Sequence, residues 1–438
     1  MQGKRARASN ARPYKSFSTV WESLQAAAHI FVEQGGGTMR YIRYILLLAA
    51  VFFLAPLAVL PRRAAGADEP AAPTPAATAQ PAAAAPYRAV WVSYLEWQQV
   101  DFSTQAAFAA DVEAMLDDIA GLGATVVLAQ VRPFGDALYP SAYFPFSHIC
   151  TGTQGQDPGF DPLAVMLAAA HARGLQLEAW INPYRLQAGQ VPALCAESPA
   201  RLHPEWVRYT DSGAVLDPSG AAVRQYIADG VEELCRSYPL DGIHFDDYFY
   251  PVQDPDFDAA DYAASGTALS LDDWRRENVN ALMELCHAAA QRYGVRFGAA
   301  PAGDPEQNYT LQYSDAARWL RQGTVDYLMP QLYWGQAYEK GGDTAHSLPR
   351  LAAAWAALPR AAGVQLYAGL GAYRIGAGDG SDSGSEWVSG HALADQLALL
   401  AHSGITGVGL YRYASLFDNP DYPALAESEA AALRTAWK

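Results

Sequence analysis

Eight short apolar runs alternate with helical segments through most of this 438-residue chain, and the alternation limits the folds available to it. The runs are rich in β-branched and aromatic residues, which favour strands. We predict strands at residues 88–95, 125–131, 175–182, 242–248, 296–301, 325–333, 365–370 and 407–411. Helical patterns separate them at 105–122, 162–173, 221–237, 272–293, 313–322, 349–358 and 392–403. Eight such parallel βα units predict an α/β fold, the (β/α)8 TIM barrel, over residues 87–438.

An open, doubly wound sheet is the alternative fold, because periodicity does not report whether a sheet closes. Nucleotide-binding sheets of that kind carry a glycine-rich loop after the first strand, and none follows residue 95 here. We therefore favour the barrel, and we expect no cofactor.

The first 86 residues are typical of targeting and tether sequence. Residues 39–67 combine a short basic region, an apolar run at 45–60 and a small-residue pattern at 65–67, which is the layout of a signal peptide. Arg62 and Arg63 follow the run, which is nearly long enough to cross a bilayer, so a membrane anchor is the alternative. Residues 68–86 form an Ala/Pro-rich linker, and residues 1–38 are interpreted as an upstream extension. We expect an exported protein, secreted or tethered to the cell envelope through residues 45–60.

Charge is divided unevenly along the chain. Residues 1–63 carry nine basic and two acidic side chains, whereas residues 64–438 carry 21 basic and 44 acidic ones. A strongly acidic domain repels nucleic acid and anionic lipid surfaces. We therefore expect neither of them as a partner of the folded domain.

The four cysteines fit an exported domain. Cys150 and Cys195 lie in loops after consecutive predicted strands and are the disulfide candidates. Cys235 and Cys286 lie in helical patterns, where a buried free thiol is common. Their spacing does not match a zinc site, and we predict no metal centre.

Polar and aromatic side chains gather where the predicted strands end. In a TIM barrel these positions surround one mouth, where active sites are built. Aromatic rings stack on the C–H faces of a pyranose, while amide and carboxylate groups bind its hydroxyls, so we expect a polysaccharide as the partner. Core packing is the alternative for any single ring. The candidate substrate-binding residues are Trp180, Asn182, Tyr184, His244, Tyr248, Gln331, Tyr333 and Trp334.

Four arginines also follow predicted strands, namely Arg132, Arg185, Arg374 and Arg412. Guanidinium groups bind carboxylates through paired hydrogen bonds, so their placement in an acidic domain favours a substrate with an anionic group, such as a sugar acid. The alternative is that each arginine neutralises an acidic neighbour at the mouth.

Glycosidic cleavage needs a protonated carboxylic acid and an ionised carboxylate. Side chains alternate along a strand, so His244 and Asp246 should face inward, with Asp247 facing outward unless the strand has already bent. We favour Asp246 as one catalytic carboxylate. The second stays open among Glu178, Asp247, Asp136, Asp304 and Glu306.

Five segments together resemble the glycosyl hydrolase-like 10 family of bacterial envelope proteins, in order and approximate spacing. They are residues 88–92 (RAVWV), 179–185 (AWINPYR), 241–251 (DGIHFDDYFYP), 297–301 (FGAAP) and 325–334 (VDYLMPQLYW). The resemblance implies an exported TIM-barrel glycosidase that acts on a bacterial cell-wall glycan. It also implies a site role for Trp180, Asn182, Tyr184, Arg185, Asp246, Asp247, Tyr248, Gln331, Tyr333 and Trp334.

The sequence thus favours an exported glycoside hydrolase of an acidic or amino-sugar glycan, with the glycan strands of peptidoglycan as the first candidate substrate. A non-catalytic carbohydrate-binding scaffold on the same barrel is the main alternative. A metal-dependent polysaccharide deacetylase, with His244 and Asp246 as ligands, is a further one.

Overall fold

Eight parallel strands close into a barrel in a computed structural model that describes residues 86–438. The strands of the chain are β1 (Tyr87–Val92), β2 (Val126–Arg132), β3 (Gln176–Ile181), β4 (Val207–Thr210), β5 (Gly213–Leu216), β6 (Gly242–Phe245), β7 (Arg296–Ala299), β8 (Tyr327–Leu328), β9 (Gln365–Leu370) and β10 (Gly407–Leu410). Around the barrel the order is β1-β10-β9-β8-β7-β6-β3-β2, and every neighbouring pair is parallel. The predicted (β/α)8 barrel and its eight strands are confirmed.

Helices connect the strands on the outside of the barrel. They are α1 (Tyr94–Trp97), α2 (Gln105–Leu122), α3 (His148–Thr151), α4 (Pro162–Ala172), α5 (Pro199–Leu202), α6 (Ala221–Ser237), α7 (Ala259–Ser265), α8 (Leu271–Gln291), α9 (Pro305–Leu311), α10 (Ala316–Gln322), α11 (Leu348–Ala356), α12 (Ala392–Leu400), α13 (Tyr413–Phe417) and α14 (Pro423–Ala436). Short 3-10 turns lie at Pro204–Trp206, Ala372–Arg374 and Glu386–Val388. The helices bury their apolar faces against the outward side chains of the strands, which forms the larger core.

The antiparallel hairpin of β4 and β5 was not predicted from the sequence. It covers the loop after β3, because Arg185 pairs with Val215 of β5. The approach is close at Gly213, where a Cβ atom would lie 2.2 Å from the carbonyl oxygen of Gln187. The hairpin therefore fixes the loop that follows β3. This loop starts at the barrel mouth, which is the end of the barrel where the strands have their carboxyl termini.

Inside the barrel a second, smaller cluster combines aromatic and aliphatic side chains. Tyr327 crosses this interior above Gly298 of the neighbouring strand β7, where an added Cβ atom would lie 2.1 Å from the tyrosine ring. Glycine is therefore required at position 298 so that the ring of Tyr327 can lie in the barrel interior.

Glu178 lies within this interior, which corrects its assignment as a candidate catalytic carboxylate. Its carboxylate is fully buried, ion-paired with Arg296 at 2.6 Å, and accepts hydrogen bonds from the hydroxyls of Tyr87 and Tyr327. Burial raises its pKa, against the charge of Arg296. Glu178 pairs with Gly242, the first residue of β6, so it lies at the opposite end of that strand from Asp246.

His244 belongs to the same interior network and is not exposed for substrate binding, contrary to the prediction. The indole N–H of Trp91 donates to its Nε2 at 3.2 Å, and its Nδ1 lies 2.8 Å from the hydroxyl of Tyr327. Burial lowers the pKa of His244 to about 3, so the ring is neutral, with its proton on Nδ1 and donated to Tyr327. Tyr327 in turn donates to Glu178, which makes one directed chain of hydrogen bonds from Trp91 to Glu178.

The predicted extension, signal or anchor, and linker lie outside the described residues, apart from the linker's last position. Within residues 86–438 no helix is long and apolar enough to cross a bilayer. All four cysteines are free thiols in the structure, so the disulfide expected between Cys150 and Cys195 is not formed there.

Candidate active site

Asp246 sits just beyond the end of β6 at the barrel mouth, only 6% exposed. Its Oδ2 accepts hydrogen bonds from the indole of Trp180 at 3.2 Å and from the side-chain amide of Asn182. Its Oδ1 accepts one from the backbone N–H of Tyr248 at 3.2 Å. Three residues predicted to share the site with Asp246 therefore contact it directly.

A further layer of hydrogen bonds orients Asn182. Its Oδ1 accepts from the amide of Gln130 and, at 2.8 Å, from the guanidinium of Arg185. Gln130 is held in turn by the backbone N–H of Tyr94, at 2.8 Å. Since the carbonyl oxygen of Asn182 is occupied by two donors, its amide group is forced to face Asp246.

Asp247 also reaches the mouth, although strand alternation alone would send it outward. The strand β6 ends at Phe245, and the backbone bends at residue 247. The carboxylate of Asp247 accepts from the amide of Gln331 at 3.1 Å and from that of Gln312 at 3.0 Å. Gln331 is fixed by its second hydrogen bond, to the carbonyl of Ala300 at 3.0 Å.

The two adjacent carboxylates perturb one another. Burial, and then the charge of Asp247, raise the pKa of Asp246 from 3.8 to about 7, while Arg185 opposes the shift. Burial also raises the pKa of Asp247, against its hydrogen bonds from Gln312 and Gln331. Near neutral pH the pair can therefore hold one proton and one negative charge, the state that a general acid beside an ionised carboxylate requires.

Aromatic rings form one wall of the mouth. Tyr333 stacks on Tyr411 with ring centroids 5.6 Å apart, and Tyr373 meets both rings edge-on. Tyr248 lies beside the carboxylates and is 50% exposed. Trp334 follows Tyr333 and is half-buried. The wall offers exposed ring faces next to the carboxylate pair, which suits a pyranose.

The arginines predicted at the mouth differ in their surroundings. Arg412 is ion-paired with Glu96, which fits the alternative in which the arginine neutralises an acidic neighbour. Among the described residues Arg185 and Arg374 have no carboxylate partner within ion-pairing distance. Arg185 instead lies over the rings of Phe134 and Tyr248, at 4.9 and 5.0 Å from their centroids.

Arg132 and Tyr184 face away from the mouth, which corrects both assignments. A register shift in β2 between Gln130 and Arg132 places Arg132 opposite Ile181, on the outer face of the barrel. There its guanidinium is buried and lies 4.2 Å from the ring centroid of Phe144. Tyr184 is buried in the same outer core, its hydroxyl without a hydrogen-bond partner in the described residues.

The remaining candidate carboxylates have other neighbours. Asp304 caps α9 through the backbone N–H groups of Glu306 and Gln307 and pairs with His346 at 3.2 Å. Asp136 is buried and lies 3.3 Å from His148. Glu306 is exposed on α9, and of the five carboxylates considered for the second role Asp247 is the one that adjoins Asp246 in the chain and raises its pKa.

Two side chains that orient the pair were not among the predicted site residues. Gln130 lies at a predicted strand end, but nothing in the sequence indicated its bond to Asn182. Gln312 lies in the loop after α9, where no strand-end pattern could reveal it. Across residues 86–438, no three His, Cys, Asp or Glu side chains group as ligands for a metal ion.

Two known proteins resemble this chain in sequence, and a third resembles it in fold. The chain is 35% identical to the glycosyl hydrolase YngK of Bacillus subtilis over 316 residues, which are 66% of this chain and 61% of YngK. It is 35% identical to the glycosyl hydrolase DigH of Escherichia coli K12 over 347 residues, which are 70% of this chain and 77% of DigH. The glycoside hydrolase domain of PgaB (BpsB) from Bordetella bronchiseptica shares the fold, with a TM-score of 0.54 at 16% identity, over 79% of this chain and 99% of that domain.

Residues 86–389 match the family described as glycosyl hydrolase-like 10, the family that the five segments indicated. The match spans Trp180, Asn182, Asp246, Asp247 and Gln331, the side chains that build the carboxylate pair and its supports. The chain spans about three fifths of YngK and about three quarters of DigH. On these grounds the chain belongs to the glycosyl hydrolase-like 10 family.

Proposed function

We propose that this protein hydrolyses O-glycosidic bonds in a bacterial cell-wall glycan, with Asp246 and Asp247 as its catalytic carboxylates. The observation that carries the proposal is the buried carboxylate pair at the mouth, held by the indole of Trp180 and the amides of Asn182 and Gln331. The printed names of YngK and DigH, both glycosyl hydrolases, support the same class of reaction.

In this mechanism the pair enters the reaction with one shared proton. Oδ1 of Asp246 has a single backbone donor at 3.2 Å, so it is the oxygen with room to carry that proton. The protonated carboxyl donates to the leaving glycosidic oxygen, and the ionised partner stabilises the positive charge that develops at the anomeric carbon. Water then adds to that carbon and returns a proton to the pair.

The substrate that fits the mouth carries an acidic or amino sugar. Arg185 and Arg374 are cations without carboxylate partners among the described residues, beside aromatic ring faces. Peptidoglycan strands from which the peptides have been removed present both sugar rings and free carboxylates, and they are the substrate that we propose. The proposal includes export, with residues 39–67 as signal or anchor.

The test is product analysis by mass spectrometry after incubation of the full-length protein with such strands. We expect shortened saccharides from the parent protein, and a loss of at least about 100-fold in Asp246→Asn and in Asp247→Asn, since general acid–base catalysis is commonly worth that factor. The control is Glu427→Gln, an exposed carboxylate on α14, which should match the parent.

The rival functions give different results. Tight binding without cleavage by the parent protein would favour the carbohydrate-binding scaffold. Loss of activity on chelation, with acetate as a product, would favour the metal-dependent deacetylase. Cleavage that persists in both aspartate variants would refute the assigned pair.

A further inference from the structure

In the described part of the chain, Tyr313 is the only residue other than glycine with a positive φ angle, at 53°. It directly follows Gln312, the residue that caps the end of α9. The helices α2, α7 and α10 also end in a left-handed residue, but there it is Gly123, Gly266 or Gly323. A bulky side chain in this conformation is strained, and such strain is common at functional sites. A tyrosine at this position therefore indicates a role for its side chain.

The side chain of Tyr313 is anchored to a buried cation. Its hydroxyl accepts a hydrogen bond from Nη1 of Arg275 at 2.9 Å, and the guanidinium lies 5.0 Å from the centroid of its ring. Tyr313 is only 3% exposed, and Arg275 is fully buried. Glycine at position 313 would relieve the backbone but lose both contacts. Tyrosine therefore combines a strained backbone with an anchored side chain.

Arg275 also holds the loop that follows β6, which begins with the carboxylate pair. Its guanidinium is ion-paired with Asp258 and donates to the carbonyl oxygen of Asp254 at 2.6 Å. A second connection runs from the side-chain amide of Gln253 to the carbonyl oxygen of Leu311, at 2.8 Å. The turn at the end of α9 is thus fastened to the same loop that carries the carboxylate pair.

Gln312 is the residue that this turn presents to the carboxylate pair. Its Nε2 donates to Asp247 at 3.0 Å, whereas its Oε1 is buried and has no donor among the described residues. Asn182 and Gln331 differ, because each makes a further hydrogen bond that orients its amide. The amide of Gln312 therefore depends for its orientation on the backbone that carries it, which is the turn at Tyr313.

The hydrogen bond from Gln312 favours the ionised form of Asp247. Burial raises the pKa of Asp247, and this hydrogen bond is the strongest influence that opposes the shift. The other charged or titratable groups that influence Asp247 or are influenced by it are Asp246, Arg185, Tyr248 and Tyr333. Burial raises the pKa of both tyrosines, and the arginine stays charged. Among these groups only Asp246 therefore titrates together with Asp247 between pH 4 and 8.

We propose that Tyr313 is a positioning residue, which through its left-handed turn and its bond to Arg275 aims the amide of Gln312 at Asp247. The inference rests on the proposed function and deepens it, since it explains how one member of the pair stays ionised while the other carries the proton. Tyr313 acts through Gln312 and not by contact with the substrate. Loss of its anchor should therefore change the ionisation of Asp247.

The experiment measures turnover of peptide-free peptidoglycan strands by the full-length protein between pH 4 and 8. Gln312→Ala removes the donor to the carboxylate, and Tyr313→Phe removes only the hydroxyl that Arg275 binds. The two substitutions are also combined in one protein. Tyr309→Phe, which removes the hydroxyl of an exposed tyrosine on α9, is the matched control and should match the parent.

Without the donor, the pKa of Asp247 should rise, so Asp247 should gain its proton at a higher pH. We expect the acidic side of the turnover profile to move up by about one pH unit in Gln312→Ala, the size of one hydrogen bond to a charged group. Tyr313→Phe should move it in the same direction by about half a unit, because it loosens this bond without removing it. In the Gln312→Ala background Tyr313→Phe should add no shift, since both act through one hydrogen bond.

Tyr313→Gly is the second variant, because it keeps the left-handed turn and loses the anchor. It should move the acidic side in the same direction as Tyr313→Phe. A loss of turnover that is equal at every pH in both variants would show a merely structural role and overturn the proposal. A shift in Tyr313→Phe that adds in full to that of Gln312→Ala would also overturn it.

Urea unfolding separates this inference from the proposed function, because it needs no turnover. The free energy of unfolding of the parent minus that of Gln312→Ala should be greater at pH 8 than at pH 5, since Gln312 stabilises the ionised form of Asp247. Tyr313→Phe should show the same trend, but not in the Gln312→Ala background. These results without cleavage by the parent would support the positioning role and refute hydrolysis. Cleavage by the parent, with differences that do not depend on pH, would refute the positioning role alone.

Discussion

Asp246→Asn should change the pH dependence of stability as well as activity. In the folded protein Asp246 keeps its proton up to a pKa of about 7, whereas in the unfolded chain it loses the proton near 3.8. Between these pH values the folded state binds one more proton, so this residue lowers the free energy of unfolding as the pH rises. The difference of about three pH units corresponds to about 4 kcal/mol, at about 1.4 kcal/mol for each unit.

The assay is urea unfolding of the full-length protein at several pH values from 4 to 8. We compare the free energy of unfolding of the parent with that of Asp246→Asn at each pH. The parent value minus the variant value should fall by about 4 kcal/mol over this range and level off near pH 8. Asp247→Asn removes the neighbouring charge and should lower the pKa of Asp246. The decline in the free energy of unfolding that is due to Asp246 should then end at a lower pH. Glu427→Gln serves as the control, and its free energy of unfolding should change with pH in the same way as that of the parent. Parallel curves for the parent and Asp246→Asn would refute the raised pKa.

Three further predictions follow from the same contacts. Turnover of the parent should fall above about pH 7, where Asp246 loses the proton of the general acid; a rate that stays constant to pH 9 would contradict this role. Glu178→Gln should lower the free energy of unfolding by about 2 kcal/mol in urea titrations, because it breaks the ion pair with the partly exposed Arg296, yet it should leave turnover of the folded fraction within a few-fold of the parent. Gly298→Ala should cost about 3 kcal/mol, seen as a lower melting temperature or loss of soluble protein, since its Cβ would overlap the ring of Tyr327; a melting temperature equal to that of the parent would contradict the packing.

The barrel could be predicted because each strand carries its own local signal. Apolar β-favouring runs and the helices between them gave all eight strands in order. The hairpin of β4 and β5 was not predicted, although residues 207–216 alternate around an Asp-Ser-Gly turn, because its strands have only four residues each and β4 is partly polar.

The site could be predicted only in part. The alternation of side chains along a strand shows which residues face the barrel interior, but it does not show how close each of them lies to the mouth. Glu178 and Asp246 both face the barrel interior, yet Glu178 pairs at the start of β6 and Asp246 lies beyond its end. The prediction for Arg132 was wrong for a different reason, because a single register shift in β2 places this residue on the outer face of the barrel. Gln312 reaches Asp247 from a loop, and such a contact depends on tertiary structure that no local pattern encodes.

The ion pair of Glu178 and Arg296 links β3 and β7, the two strands that flank β6, so that mutations at the two positions depend on each other. A neutral residue at either position leaves an opposite charge beneath the ring of Tyr327, so single replacements pass through a less stable protein. An uncharged pair of similar volume would avoid that cost. Evolution at these two positions should therefore proceed by paired exchange, and relatives that lack one member of the pair should also lack the other.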